Sequence, residues 1–143
     1  MTTTDNASRV TLRTAQTIVA AAEQRARDIG VPMNIAVVDE GANLVAFARM
    51  DGAWLGSIDI ALGKAFTARA FDLGTEELAP MSQPGQPLYG ITATNHGRVV
   101  ILPGGLPLQA GGAVVGAIGV SGGEVAQDQQ VAEAGAAAFG KEH

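Results

Sequence analysis

Residues 33–53 read MNIAVVDEGANLVAFARMDGA: an apolar run, a polar turn around Gly41, and a second apolar run. This pattern predicts a β-hairpin with strands over about 33–39 and 43–50. Asp39 and Glu40 are placed for turn chemistry, since an Asp side chain can accept a hydrogen bond from the backbone two residues on. The second strand delivers Arg49, Met50 and Asp51 to a Gly-Ala-Trp corner that holds Trp54, the only tryptophan. Alternation puts Arg49 and Asp51 on one face and Met50 on the other. Arg49 is suited to grip a carboxylate through two parallel hydrogen bonds. A surface or interface ion pair is the commoner use of such a residue. Met50 reads as core filler.

Working outward, the apolar positions Leu12, Ala15, Ile18, Val19, Ala22 and Ala26 fall at helical spacing between Val10 and Ile29. Gly30 and Pro32 then stop that helix. Downstream of the hairpin a second helix is expected from about Ser57 to Asp72, with Ser57 as N-cap and Asp59 in its first turn. Gly74 closes it. Lys64 lies mid-helix, where it either points into a pocket or, more commonly, runs its alkyl stem along the helix surface. Residues 74–97 are the least regular stretch. Thr75–Leu78 suggests one helical turn, but Pro80, Pro84, Gly85 and Pro87 forbid a long helix. Connections of this length inside a domain are usually functional or form an interface.

Three short strands follow, at Arg98–Leu102, Leu106–Gln109 and Ala113–Ser121, with Gly111-Gly112 as a two-residue hairpin turn. A small-residue helix from about Gly123 to Gly140 ends the chain. Hairpins rather than βαβ units predict an α+β fold, an antiparallel sheet of about five strands with helices packed on it. Residues 1–8 read as a disordered lead-in and 9–143 as one domain.

The chain has 143 residues, a net charge of −5 and only nine basic residues, scattered along it. That argues against nucleic acid as a partner, which needs clustered Lys and Arg. With no cysteine, disulfides, thiolate nucleophiles and cysteine-held metals are excluded. No apolar run is long enough to span a membrane, and the polar N-terminus lacks a secretory core, so a cytoplasmic location is expected.

Few residues are candidates for chemistry. His96 is the only internal histidine; imidazole suits metal or haem iron and proton transfer near neutral pH. A histidine bonded to the backbone of a turn is an equally ordinary reading. Ser121-Gly122-Gly123 before the last helix can expose backbone N–H groups to a carboxylate or phosphate. The competing reading makes Ser121 and Glu124 a capping box, which the spacing fits better. Glu124 and Asp128, four apart, put two carboxylates on one helix face, read as a solvated face with modest potential for metal.

The segments Ile35-Ala36-Val37-Val38-Asp39 with Gly41, Phe47-Ala48-Arg49-Met50-Asp51-Gly52-Ala53, Lys64-Ala65-Phe66-Thr67-Ala68, Gly104–Leu108 and Val115–Gly122 with Asp128 run in order over about residues 10–140. Together they resemble the GlcG/HbpS-like family, which includes the C-terminal domain of PduO-type proteins. The resemblance implies a profilin-like domain assembled into dimers or larger oligomers. It also implies haem or tetrapyrrole binding, and in some members haem degradation. On this reading His96 is the axial ligand to haem iron. Phe47, Trp54 and Phe66 are pocket walls, and Lys64 or Arg49 meets the propionates. An alternative is a catabolic lyase or isomerase acting on a small or aromatic organic acid, as in hydroxylaminobenzoate lyase-like members. There Arg49 or Ser121, Gly122 and Gly123 would hold the carboxylate, while His96 or Glu124 moves the proton. A non-catalytic accessory subunit is the third reading, supported by the small residues Ala132, Gly135, Ala136 and Ala138 of the last helix.

Overall fold

A computed structural model describes residues 9–142. The expected lead-in over 1–8 and the terminal His143 lie outside the described residues. Among the described residues, four α-helices pack on one antiparallel sheet. Helix α1 spans Leu12–Ile29, and strands β1 and β2 span Asn34–Asp39 and Leu44–Arg49. Helices α2 (Ser57–Phe71) and α3 (Thr75–Met81) follow. Strands β3 (Gly105–Ala110) and β4 (Ala113–Ser121) lead to helix α4 (Val125–Glu142). The sheet order is β2-β1-β4-β3, with every neighbouring pair antiparallel.

The fold is α+β, with four strands among the described residues rather than the five expected. Residues 98–102 do not join the sheet. Their apolar run suits a strand, but the Val100 N–H donates to Thr67 Oγ1 at 2.9 Å, and the segment lies on α2. A Cβ at Gly63 would press into the Val100 side chain, so this glycine lets the segment lie close.

The sheet separates two cores. On one face Ile35, Val37, Ile118 and Val120 meet Ile18, Ala22, Val131 and Phe139 of α1 and α4. On the other, Ala36, Val38 and Ala117 meet Ala61, Ala65 and Ala68 of α2. Small residues on this second face bring α2 unusually near the strands. At Gly119 a Cβ would overlap the Ala61 carbonyl and the Ala65 backbone.

Local signals in the sequence act largely as expected. Gly30 ends α1 in the left-handed conformation at φ 73°. Gly111 and Gly112, at φ 58° and 84°, form the tight β3–β4 turn. Asp39 Oδ1 accepts from the N–H groups of Gly41 and Asn43 at 2.9 and 3.0 Å. Met50 packs against the α1/α4 core. Leu12 departs from its expected role, being 57% exposed. Ser57 is the first helical residue rather than the cap, and Gly74 opens α3 instead of closing α2.

The capping box at Ser121 and Glu124 does not form. Helix α4 starts at Val125, and its entry is satisfied from inside the helix. Asp128 Oδ1 accepts from Gly123 N–H and Gln127 Oε1 from Glu124 N–H, both at 2.9 Å. Asp128 is consequently buried while Glu124 stays exposed, so the pair does not form one solvated acidic face.

Candidate functional site: a cleft between β2, α2 and residues 97–100

A cleft of about 460 Å³ opens on the α2 face of the sheet. Val38, Leu44, Leu62, Phe66 and Val100 supply apolar walls, and Asp59 and Arg98 the charged groups. The Arg98 guanidinium sits 3.8 Å above the centre of the Phe66 ring, a cation–π contact that joins the post-loop segment to α2. Ala42, left-handed at φ 61° in the β1–β2 turn, closes one end.

The segment entering the cleft is conformationally unusual. Asn95, His96 and Gly97 all have positive φ, at 53°, 60° and 74°. For non-glycine residues this region costs roughly 1–2 kcal/mol each, and such strain clusters at functional sites. Gly97 lines the cleft directly; His96 precedes it and is exposed.

The remaining candidates are dispersed over the fold. Phe47 packs against the Ala36–Val38–Ala61 cluster, on the same face as Phe66. Lys64 neither runs along the surface nor reaches the cleft. It is fully buried, with Nζ 2.8 Å from the Val120 carbonyl and 2.9 Å from Asp128 Oδ2. Burial pushes its pKa below the ordinary lysine value, while the hydrogen bond and charge of Asp128 act in the opposite direction. Arg49, Trp54 and Ser121 gather at the other end of the sheet. Gly122 and Gly123 lead into α4, where the Gly123 N–H is already used by Asp128. Glu124 stands apart and exposed.

Sequence reasoning assigned Arg98, Asp59, Leu62 and Asn34 to no site. Arg98 and Phe66 are 32 positions apart, and nothing local signals that they meet. A groove of about 470 Å³ also lies between α1 and α4, lined by Ala21, Arg25, Asp28, Ala134 and Lys141 among others. It lacks an aromatic wall and a nearby strained segment. Among the described residues, no three His, Asp or Glu side chains cluster to hold a metal ion. No described helix is long and apolar enough to cross a membrane.

Comparison with known proteins gives a consistent picture. The family described as haem degrading protein HbpS-like matches residues 10–137. A 15.0 kDa protein encoded in the dhaT–dhaS intergenic region of Citrobacter freundii is 47% identical over 124 residues, covering 87% of each chain. The crystal structure of Klebsiella pneumoniae ORFY superposes with a TM-score of 0.91 at 44% identity, over 93% of this chain and 92% of that one. A PduOC:haem complex superposes with a TM-score of 0.85 at 36% identity, over 88% and 91% of the two chains.

Proposed function

Because the chain belongs to the HbpS-like family, we propose that it binds haem or a related tetrapyrrole in the cleft between β2, α2 and residues 97–100. The observation that carries this reading is the cleft itself. Its walls are apolar, an arginine stands at its side, and the strained His96 segment enters it. Its volume falls within the roughly 300–1,000 Å³ typical of cofactor pockets. The PduOC relative was solved with haem, and the fold is shared over most of both chains.

The residues present fit the group. Leu44, Leu62, Phe66 and Val100 offer the dry surface that a macrocycle needs. Arg98 is the cation for a propionate. Lys64 is committed to Asp128, and Arg49 lies at the far end of β2. His96 would offer an imidazole nitrogen to the iron. When bound, haem supplies a redox-active iron; the protein's part is to exclude water from one face of the ring and fix its orientation. Adding hemin to purified protein gives a saturable Soret shift, and His96→Ala changes its position. No shift at stoichiometric protein contradicts the reading.

We infer further that the protein self-associates through residues 83–97. Apart from Ile91 the whole stretch is exposed, yet it is folded by its own turns, including Leu88 N–H to the Met81 carbonyl at 2.9 Å. It contains no Asp, Glu, Lys or Arg, and it exposes Tyr89 by 68%. Interface cores are depleted in charge and enriched in tyrosine. Two copies carrying −5 each repel least where neither presents charge.

A further inference from the structure

We propose a second binding site at the end of the sheet remote from the cleft. Its ligand is a small carboxylate that also carries a hydroxyl or amino donor. The register puts Arg49 of β2, Asn34 of β1 and Ser121 of β4 directly side by side. Paired residues point to the same face, so the three form a polar row along the α2 face, which is otherwise built from Ala36, Val38 and Ala117. The start of α2 lies over this row. The Trp54 carbonyl accepts both from Asn34 Nδ2, at 3.0 Å, and from Ser57 N–H, at 3.2 Å.

Asn34 is fully buried, and its Oδ1 has no hydrogen-bond partner. Leaving a buried carbonyl unpaired costs about 1–3 kcal/mol. Exchanging the amide oxygen and nitrogen does not help, because it would set Oδ1 against the Trp54 carbonyl. Ser57 and Ser121 are only 4% and 5% exposed, and their hydroxyls make no side-chain hydrogen bond among the described residues. Arg49 is exposed, and its side chain makes no hydrogen bond or ion pair among the described residues, although Asp51 is two positions away.

These groups define the ligand's chemistry. Arg49 offers a planar fork that matches a carboxylate. Asn34 Oδ1 is an acceptor only, so the ligand must bring a donor, and the serine hydroxyls adapt to either role. Paired Cα atoms lie about 4.5–5.5 Å apart, so a molecule of two to four carbons spans Arg49 and Asn34. Asn34 and Val38 are separated by about 13 Å along β1 at the usual rise per residue. The site is thus distinct from the cleft and does not rest on haem binding.

Trp54 is 70% exposed on the corner that covers Asn34. Ligand entry lifts that corner, and the single tryptophan reports it. Haem-free protein titrated with lactate shows a saturable change in Trp54 fluorescence. Propionate, which lacks the donor, and lactamide, which lacks the carboxylate, bind at least tenfold more weakly. Arg49→Gln, an exposed substitution that leaves the unfolding temperature near that of the wild type, loses the response. Absence of a saturable lactate response at tens of millimolar overturns the proposal. So does an equal response to propionate, or undiminished lactate binding by Arg49→Gln.

Discussion

Lys64 Nζ lies 2.9 Å from Asp128 Oδ2, with the two side chains only 1% and 4% exposed. The pair ties α2 to the first turn of α4, and each member has a second anchor, Val120 O for the lysine and Gly123 N–H for the aspartate. Removing one partner of a buried pair strands the other charge, at about 3–5 kcal/mol. Lys64→Met is therefore expected to lower stability by that order. In an Asp128→Asn background, which keeps the acceptor for Gly123, the same change costs much less. Urea unfolding of the four proteins measures the coupling; additive effects would contradict it.

The same lysine gives stability a pH dependence. Its folded pKa lies below the ordinary value of about 10.4 because burial disfavours the charged form. Between the two values the unfolded chain binds more protons than the folded one. The lysine's contribution therefore becomes more favourable as pH rises through that window. Wild-type stability measured relative to Lys64→Met is expected to increase as pH climbs from the lowered value toward the ordinary one. A decrease over that range contradicts the burial argument.

Close approach of α2 to β4 depends on Gly119. Gly119→Ala forces a Cβ into the Ala61 carbonyl and the Ala65 backbone, and backbone yields less readily than side chains. A loss of about 2 kcal/mol or more is expected. Gly56→Ala, with nothing within 4 Å of the added atom, serves as the near-neutral control. Thermal unfolding of both variants checks the contrast.

Self-association is tested on the exposed loop. Tyr89→Asp places a charge in the uncharged stretch without touching either core. Light scattering is expected to show an oligomer for the wild type and a smaller species for the variant, with unchanged circular dichroism. A monomeric wild type contradicts the inference.

Much of the fold was legible because its signals are local. The hairpin around Gly41, the Gly111-Gly112 turn and the stripe Ala15–Ile18–Val19–Ala22–Ala26 need only neighbours to act. Where a distant partner intervenes, the local signal misleads. Arg98–Leu102 looks like a strand, but Thr67 takes the Val100 N–H. Ser121 and Glu124 look like a capping box, but Asp128 and Gln127 reach back to the helix entry first. The candidate sites were less legible still. Phe66 stood out as a pocket wall only through the family resemblance, and nothing local marked Arg98, which stacks on it. Asn34 was hidden inside an apolar run, and only the register places it beside Arg49 and Ser121.

Haem binding in the cleft is tested most directly by hemin titration of Leu62→Arg beside the wild type. Leu62 lines the cleft from α2 and only partly packs against the small core, so the variant fills the cavity with a charged side chain while most of the packing survives. The wild type is expected to give a saturable Soret shift at one hemin per chain, and Leu62→Arg to weaken it at least tenfold with its fold intact. Equal hemin affinity in the two proteins would contradict the assignment of haem to this cleft.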